Sequence, residues 1–402
     1  MLMNLQKNDK TLQQFIVNSC PWCGANLGYY EEKKNHKKHY LGFKLVNNQL
    51  VIHCTDNKCP FFNELPIYIV DETIYKKRPT FLIGTVDKFV QLIWQPDARS
   101  LFGIDKNGNR FVNPPSLIIQ DELHLISGPL GTLTGLFETL IEELCLKEIN
   151  GKIIKPKIIA ATATIKQFEE QVLALFGRKK SRLFPSPGLE SEDSFFATPA
   201  INIQTGKPMP GRKYVGVYPS TVRLMMAQVM VFSSILQGVT EISPDERDPY
   251  WTLLVFYNTL RELGGGLTIT QTDIAQYSRA ICLRKGQIKD MRHLKNVLEL
   301  TSRKQSHEIS KIINDLKVNY DVKKENGFEN VLDMCLASNI IEVGVDIDRL
   351  SVMAIVGQPK MTAQYIQVSG RVGRRWWERP GLIFTLYSNT KSRDKSHFEH
   401  FR

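Results

Sequence analysis

Short apolar runs alternate with longer amphipathic stretches along most of the chain, beginning near residue 76. Segments 80–84, 116–120 and 157–161 are apolar over the length of a strand, and each is predicted to be one. Apolar residues recur at helical spacing in 133–146 and 166–176, which we predict to be helices. Strands that alternate with helices are typical of a parallel sheet with helices packed on its faces.

A second alternating series follows the stretch 183–188, which carries prolines and a glycine and leads into acidic residues. We place a domain boundary after residue 188. The strands predicted for the second domain are 251–257, 297–300, 331–337, 352–356 and 382–387. Two successive α/β units of similar size are therefore expected.

Two segments of the second domain interrupt the simple alternation. A helix is predicted from about 221 to 236, and its methionines, Met225, Met226 and Met230, are expected to pack inside the domain. Segment 264–286 begins with three glycines, so we predict a surface insertion there.

The charge of the chain favours a polyanionic partner. Its 402 residues, 42% of them hydrophobic, suffice for two packed domains and carry a net charge of +11. Nucleic acid is the first candidate partner. A membrane is disfavoured because the basic residues are dispersed, and an ordinary solvated surface stays open. The chain has neither a long apolar run nor the apolar start of a signal peptide, so we expect a cytoplasmic location.

The seven cysteines are too few for a disulfide scaffold, and four of them form two close pairs. These pairs are Cys20 with Cys23 and Cys54 with Cys59. Their spacing suits two turns that deliver four thiolates to one Zn²⁺, and four sulfur ligands leave no open position, so the zinc is expected to be structural. A redox pair and unrelated buried thiols are the alternatives.

The other cysteines and the segment between the pairs have simpler interpretations. Three thiols lie in apolar or mixed segments and are expected to be buried: Cys145, Cys282 and Cys335. Segment 31–40 mixes lysines and histidines with tyrosine, so DNA contact and a solvated ribbon tip are equally open.

An acidic pair follows one of the predicted strands. Asp121 and Glu122 end the apolar run 117–119, where one carboxylate suits a Mg²⁺ ligand and the other can orient the attacking water of nucleotide hydrolysis. An acidic turn without catalytic function is the alternative. Thr162 and Thr164 follow the next predicted strand, where short hydroxyls could connect a nucleotide site to a domain cleft.

A second candidate motif lies near the end of the chain. Gln367, Arg371 and Arg374 belong to the pattern Gln-x-x-Gly-Arg-x-Gly-Arg, whose glycines permit a tight turn. Two guanidinium groups at this spacing suit phosphate oxygens, and such an arginine can stabilise the charge of phosphoryl transfer. A solvated basic turn is the alternative interpretation.

Taken in order, these motifs resemble those of superfamily 2 helicases. The resemblance implies ATP and Mg²⁺ bound between two tandem RecA-like parallel-sheet domains, with a nucleic-acid strand across them. It extends to His124 in the acidic motif and to Gly344 and Asp346 before the last strands. The nucleic-acid contacts that it implies are Thr85, Lys88, Thr301, Ser302, Arg303, Ser338 and Asn339.

Longer strings resemble the helicase subunits of the DISARM antiphage system. They are 119–131, 183–188 with 193–197, and 357–374 with 393–397. This resemblance implies a DNA translocase or helicase of antiphage defence, with other subunits of a defence system as partners and no membrane. The implied division is a zinc-ribbon-like insertion in 1–75, a partial RecA-like domain in 76–188 and a second RecA-like domain in 189–402.

The chain departs from the helicase pattern at the phosphate-binding loop. No Gly-x4-Gly-Lys-Ser/Thr occurs, and the Gly-Lys pairs at 151–152 and 206–207 lack the rest of that loop. Because the loop brings a core strand and helix with it, the first domain is expected to be incomplete and the isolated chain inactive. Alternatives are a binding fragment without ATPase activity, half of a split gene and, least favoured, an RNA helicase.

Overall fold

The computed structural model describes residues 17–31, 38–47, 49–126, 128–162, 168–186, 188–190, 193–304, 306–320, 331–339 and 346–401. The chain divides into two compact units, Met1–Leu183 and Phe184–Arg402. Each unit has apolar clusters of its own.

The first unit opens with a small antiparallel module built around cysteines. Its hairpins are β1 (Gly28–Glu31) with β2 (Lys38–Leu41) and β3 (Phe43–Val46) with β4 (Gln49–Ile52). Leu27, Ile52 and Leu65 pack around Cys20, Cys54 and Cys59 in the core of this module. An apolar core this small gives little stability alone, which is typical of modules held by a metal.

The rest of the first unit contains one parallel strand pair and several helices. The elements are α1 (Asp71–Lys77), α2 (Val86–Val90), β5 (Leu117–Gln120), α3 (Gly128–Leu144), β6 (Lys147–Ile149), β7 (Lys152–Ile154), β8 (Lys157–Ala160) and α4 (Phe168–Phe176). β5 and β8 run parallel, from Leu117 opposite Lys157 to Gln120 opposite Ala160. The predicted strands at 116–120 and 157–161 and both predicted helices are thus confirmed.

The strand predicted at 80–84 is wrong. Residues 80 and 81 form a bend and 82–84 have no regular structure, and the segment pairs with none of the strands in the described part of the chain. Phe81 is 71% exposed and Ile83 is 82% exposed. A strand is held by hydrogen bonds to a neighbour, so an apolar run without one gives no sheet.

The first unit leaves much apolar surface in water. Leu117 and Ile119 of β5 and Ile159 of β8 are exposed, although strands of parallel sheets are normally covered on both faces. Leu133 and Leu136 of α3 are exposed as well. The described part of this unit therefore presents core-like residues without a covering layer.

The second unit is a six-stranded parallel sheet with the strand order β11-β12-β10-β13-β14-β9. Its strands are β9 (Arg212–Val217), β10 (Leu253–Tyr257), β11 (Val297–Leu300), β12 (Met334–Ala337), β13 (Val352–Val356) and β14 (Gly381–Leu386). All five predicted strands are confirmed. The edge strand β9 was not predicted, because it follows directly on a Pro/Gly-rich stretch and alternates only weakly.

Helices cover both faces of this sheet. They are α5 (Leu224–Gly238), α6 (Asp248–Trp251), α7 (Leu260–Gln271), α8 (Asp273–Lys285), α9 (Ser306–Leu316), α10 (Thr362–Ser369) and α11 (Ser392–Glu399). Phe232 of α5, Leu263 of α7 and Ile274 of α8 pack on one face. Ile312 of α9 and Val368 of α10 pack on the other. Helices on both faces of a parallel sheet form the layered architecture that the sequence predicts.

The predicted surface insertion at 264–286 is wrong, because this segment forms the end of α7 and all of α8. Gly266 lies so close to the sheet that a Cβ there would be 2.1 Å from the Tyr257 hydroxyl oxygen. The glycines thus permit α7 to pack closely on β10 rather than marking a loop. Tyr257 in turn donates a hydrogen bond of 2.8 Å to Gln228 of α5.

The methionines of α5 are also placed differently from the prediction. Met225, Met226 and Met230 are exposed, and the core is filled by Phe232 and Leu236. Leu224–Glu241, with mean hydropathy 1.2 over 18 residues, would suffice in length and composition to cross a membrane. Because 44% of it is buried against the sheet and its neighbouring helices, this is weak evidence for a membrane span.

Three isolated thiols behave as predicted. Cys145, Cys282 and Cys335 are buried, and burial raises the pKa of each thiol because the thiolate would lose its hydration. They are structural rather than reactive groups.

Candidate nucleotide and metal sites

The acidic pair lies at the carboxyl end of β5, where parallel strands place functional residues. Asp121 is exposed, and its Oδ1 accepts a hydrogen bond of 2.9 Å from the backbone N–H of Glu122. Glu122 has φ +50, a conformation that costs a non-glycine residue about 1 kcal/mol. Such local strain is common at functional sites.

His124 connects the acidic motif to the threonine motif. Its ring is buried, and its Nδ1 lies 3.1 Å from Thr162 Oγ1 and 3.3 Å from Glu122 Oε2. Because a carboxylate only accepts hydrogen bonds, an attractive contact with Glu122 requires the proton on Nδ1. The structure thus brings Glu122, His124 and Thr162 together, whereas Thr164 lies outside the described residues.

A residue outside every predicted motif supports this loop. Gln171 of α4 donates its side-chain amide to the carbonyl oxygens of Leu123, at 3.1 Å, and of Ile126, at 2.8 Å. The backbone N–H of Leu123 also donates to Ala161, which joins the ends of β5 and β8. Only the spatial proximity of these segments, which the sequence does not reveal, identifies Gln171.

The arginine motif lies where α10 ends and turns towards β14. Gln367 is in the last turn of that helix, and the partly buried Arg371 and Arg374 follow it. Arg374 Nη1 pairs with Asp346 Oδ1 at 2.6 Å, so a predicted catalytic residue contacts a predicted coupling residue. Gly344 lies outside the described residues.

Arg212 holds the turn that carries both arginines. Its Nε donates to the carbonyl oxygen of Val372 at 2.8 Å, and its Nη2 donates to that of Gly370 at 3.2 Å. Because Arg212 lies on β9, the edge strand that sequence patterning missed, its role could not be found from the sequence alone.

Replacing Gly373 by alanine is expected to destabilise the second unit by about 1–3 kcal/mol. Gly373 has φ +64, and a Cβ there would be 2.6 Å from the Cα of Gly381. The urea midpoint for unfolding should fall. The matched control is Gly238→Ala: φ is −60 and nothing lies within 4 Å of the added carbon, so the midpoint should stay level or rise. Equal midpoints for the two variants would contradict this account.

The predicted nucleic-acid residues of the second unit meet at the carboxyl edge of its sheet. β11 and β12 are neighbours that end in register, at Leu300 and Ala337, so segments 301–303 and 338–339 follow side by side. Ser302, Arg303 and Asn339 are exposed there.

Two residues of this edge are not on its surface. Thr301, a predicted nucleic-acid contact, is fully buried and donates to Glu299 Oε1 at 2.7 Å. Ser338 is also buried, and its backbone N–H donates to Leu300. A side chain without access to solvent does not reach a strand bound outside, so Ser302, Arg303 and Asn339 are the residues placed to do so.

In the first unit, Thr85 and Lys88 occupy the start of α2. Both are exposed, and the Lys88 backbone N–H donates to the carbonyl oxygen of Thr85 at 2.9 Å. Lys88 Nζ pairs with Asp71 at 3.1 Å, an exposed contact worth little that a phosphate could replace.

The four paired cysteines form a compact cluster. Their sulfur atoms all lie within 4.8 Å of one another, which suits the spacing of about 3.8 Å around a tetrahedral ion with bonds of about 2.3 Å. The chain turns tightly after the first pair, where the Gly24 N–H donates to Cys20 at 2.9 Å, and the Asp56 N–H donates to Cys54 Sγ at 3.4 Å. This donor set fits a metal ion.

The environment of the cluster gives its thiols different pKa values. The backbone N–H of Cys23 is the main cause that lowers the pKa of the Cys20 thiol to about 7. Burial raises the pKa values of Cys54 and Cys59. One thiolate is thus favoured near neutral pH. A cation would offset the free-energy cost of ionising the two buried thiols, Cys54 and Cys59. The basic residues of segment 32–37 lie outside the described part of the chain.

Comparison of the sequence with known proteins finds a helicase domain and related bacterial proteins. Residues 271–375 match the helicase conserved C-terminal domain. The chain is 39% identical over 437 aligned residues to DISARM protein DrmA of Bacillus paralicheniformis, a match that covers 98% of this chain and 37% of DrmA. It is 31% identical over 167 residues to the transcription-repair-coupling factor of Bacillus subtilis, covering 39% of this chain and 12% of that protein.

Comparison with solved structures supports the same fold. The DUF1998 helicase MrfA, solved bound to DNA, matches 83% of this chain and 36% of its own, with a TM-score of 0.53 and 18% identity. Mss116p, solved bound to ssRNA and AMP-PNP, matches 82% of this chain and 52% of its own, with a TM-score of 0.50 and 13% identity. The predicted α/β fold of superfamily 2 helicases is confirmed.

Proposed function

Because the chain belongs with the superfamily 2 helicases and is related along 98% of its length to DrmA, we propose that it is motor machinery of an ATP-dependent DNA translocase or helicase in antiphage defence. The observation that carries the proposal is the joined acidic and threonine motifs, in which His124 contacts both Glu122 and Thr162. An acidic turn without catalytic function would have no need of that buried link.

Each predicted residue has a separate chemical role. The exposed carboxylate of Asp121 suits Mg²⁺, which would neutralise charge on the ATP phosphates. Glu122 orients and deprotonates the attacking water, and His124 holds that carboxylate in place. Arg371 and Arg374 stabilise the charge that develops on the transferred phosphoryl group. Ser302, Arg303 and Asn339 contact the nucleic-acid backbone.

The metal of the cysteine cluster is zinc in this proposal. Four thiolates close a tetrahedral sphere, so the ion stabilises the module and leaves no position for a reactive water. Cys54→Ser should abolish binding of one zinc per chain and make residues 17–70 sensitive to protease, because structural zinc contributes about 10 kcal/mol or more to such folds. Cys145→Ser, which replaces a buried thiol outside the cluster, should keep that zinc. Metal analysis would decide, and a full zinc complement in Cys54→Ser would contradict the site.

ATP turnover requires a phosphate-binding loop that these 402 residues do not carry. Such a loop supplies a lysine and backbone N–H groups to the β and γ phosphates. The exposed apolar residues of β5, β8 and α3 support a missing layer of the first unit. The chain spans 37% of the length of DrmA, and we infer that the 402 residues alone are inactive.

The decisive experiment measures DNA-stimulated ATP turnover twice. The chain alone should bind single-stranded DNA with turnover at background. This chain together with a polypeptide that supplies the loop, its strand and its helix is called the completed motor. The completed motor should hydrolyse ATP. Turnover by the chain alone would contradict the need for the loop.

Failure of the completed motor to hydrolyse ATP, with DNA binding intact, would favour the second candidate, a nucleic-acid-binding helicase relative without ATPase activity. The missing loop is the observation behind that candidate.

Competition between DNA and RNA at one salt concentration tests the preferred polymer, because backbone binding depends steeply on salt. MrfA was solved with DNA and Mss116p with RNA, so the fold is compatible with either. A cytoplasmic location and partner subunits of a defence system complete the proposal.

A further inference from the structure

One side chain on the cysteine module stands out by its exposure. Trp22 lies between Cys20 and Cys23 and is 69% exposed, although tryptophan is usually among the better buried residues. Its position is well defined, because Cys20 accepts from the Gly24 N–H and donates to Ala25, which closes the turn that carries the ring. An exposed indole on a fixed turn presents a rigid aromatic face to a ligand.

Other aromatic rings support and extend this surface. The Trp22 and Phe61 rings meet edge to face, with centroids 5.6 Å apart. Phe62, the next residue, is 42% exposed and contacts His53 edge to face at 6.3 Å. The indole thus packs against Phe61 while most of the side chain stays open to solvent.

A positive charge accompanies the indole on the adjacent turn. Trp22 directly precedes Cys23 and Lys58 directly precedes Cys59, and the sulfur atoms of these cysteines belong to one cluster. Lys58 is exposed, and its ammonium makes no ion pair with any residue that the structure describes. Aromatic faces beside free cations are the means by which proteins hold single-stranded nucleic acid, through base stacking and phosphate contact.

We propose that Trp22 is a stacking platform for an unpaired nucleobase and that Lys58 contacts a phosphate of the same strand. This site rests on the proposed function, since it presumes that the chain binds single-stranded DNA. It adds a second contact region, on the cysteine module, to the predicted contacts on the RecA-like sheets. Because every base has an aromatic face, the site would be tolerant of sequence.

The test measures affinity of the zinc-loaded chain for fluorescein-labelled oligo(dT) by anisotropy. Trp22→Leu should bind about 5- to 150-fold more weakly, which corresponds to the loss of one base stack. Trp22→Phe keeps an aromatic face and should stay within a few-fold of the wild type. Trp94→Ala, which removes another exposed indole of the same unit, is the matched control and should bind normally.

Two further measurements keep the outcome unambiguous. Each variant is assayed for zinc, and Leu in place of Trp22 retains apolar contact with Phe61, so a loss of affinity with zinc intact reports the stack. Lys58→Ala should reduce the salt dependence of log K by about one phosphate contact. The same measurement with oligo(rU) shows whether the site binds a base of DNA, of RNA or of both.

Three results would overturn the proposal. They are wild-type affinity in Trp22→Leu, equal affinity in Trp22→Leu and Trp22→Phe, and an equal loss of affinity in Trp94→Ala. If the wild type binds no oligonucleotide, both this site and the proposed DNA binding fail. If it binds but Trp22 makes no difference, only the stacking site fails.

Discussion

Arg371→Ala in the completed motor is expected to lower ATP turnover about 10³- to 10⁵-fold while ATP binding changes little. Arg371 follows the end of α10, on the turn that Arg212 holds through the carbonyl oxygens of Gly370 and Val372. A guanidinium carried on this turn can stabilise the charge that appears only in the transition state, so its loss affects kcat far more than affinity.

Single-turnover hydrolysis and nucleotide binding, measured separately, check this prediction. The matched control is Arg375→Ala, because Arg375 lies on the same loop and pairs with Glu378 at 3.6 Å. That variant should keep turnover within a few-fold of the wild type. If Arg371→Ala and Arg375→Ala behave alike, the role given to Arg371 is wrong.

Glu122→Gln in the completed motor should lower turnover about 10²- to 10⁴-fold, the usual contribution of a positioned base. The amide keeps the size of the side chain and can still meet His124, so nucleotide binding and folding should be retained. Glu143→Gln replaces an exposed carboxylate on α3 and should leave turnover unchanged. ATP bound without hydrolysis would support the assignment, whereas normal turnover in Glu122→Gln would rule it out.

The sequence predicts those parts of the fold that depend on local pattern. β13 appears at the predicted residues, because a fully buried parallel strand is a short unbroken apolar run. The cysteine cluster was predictable for the same reason, since ligand spacing is a local property. Roles assigned by resemblance, such as that of Arg371, stay predictions until the kinetic experiments are done.

Features that depend on close approach of distant segments were not predictable. Glycines 264–266 resemble a loop in sequence, and only contact with Tyr257 shows why a helix needs Gly266. The methionines of α5 have the composition of a core but lie outside it, because Phe232 and Leu236 fill the available space. Gln171 and Arg212 act through carbonyl oxygens far away in the chain, which no residue pattern encodes.

The uncovered apolar residues of β5, β8 and α3 have a consequence for the life of the protein in a cell. Exposed core-like surface beside unpaired strand edges is what chaperones retain, proteases select and other chains aggregate with. A segment or a partner that covers this surface would stabilise the folded unit. Loss of that cover is therefore expected to shorten the half-life of the protein in a cell.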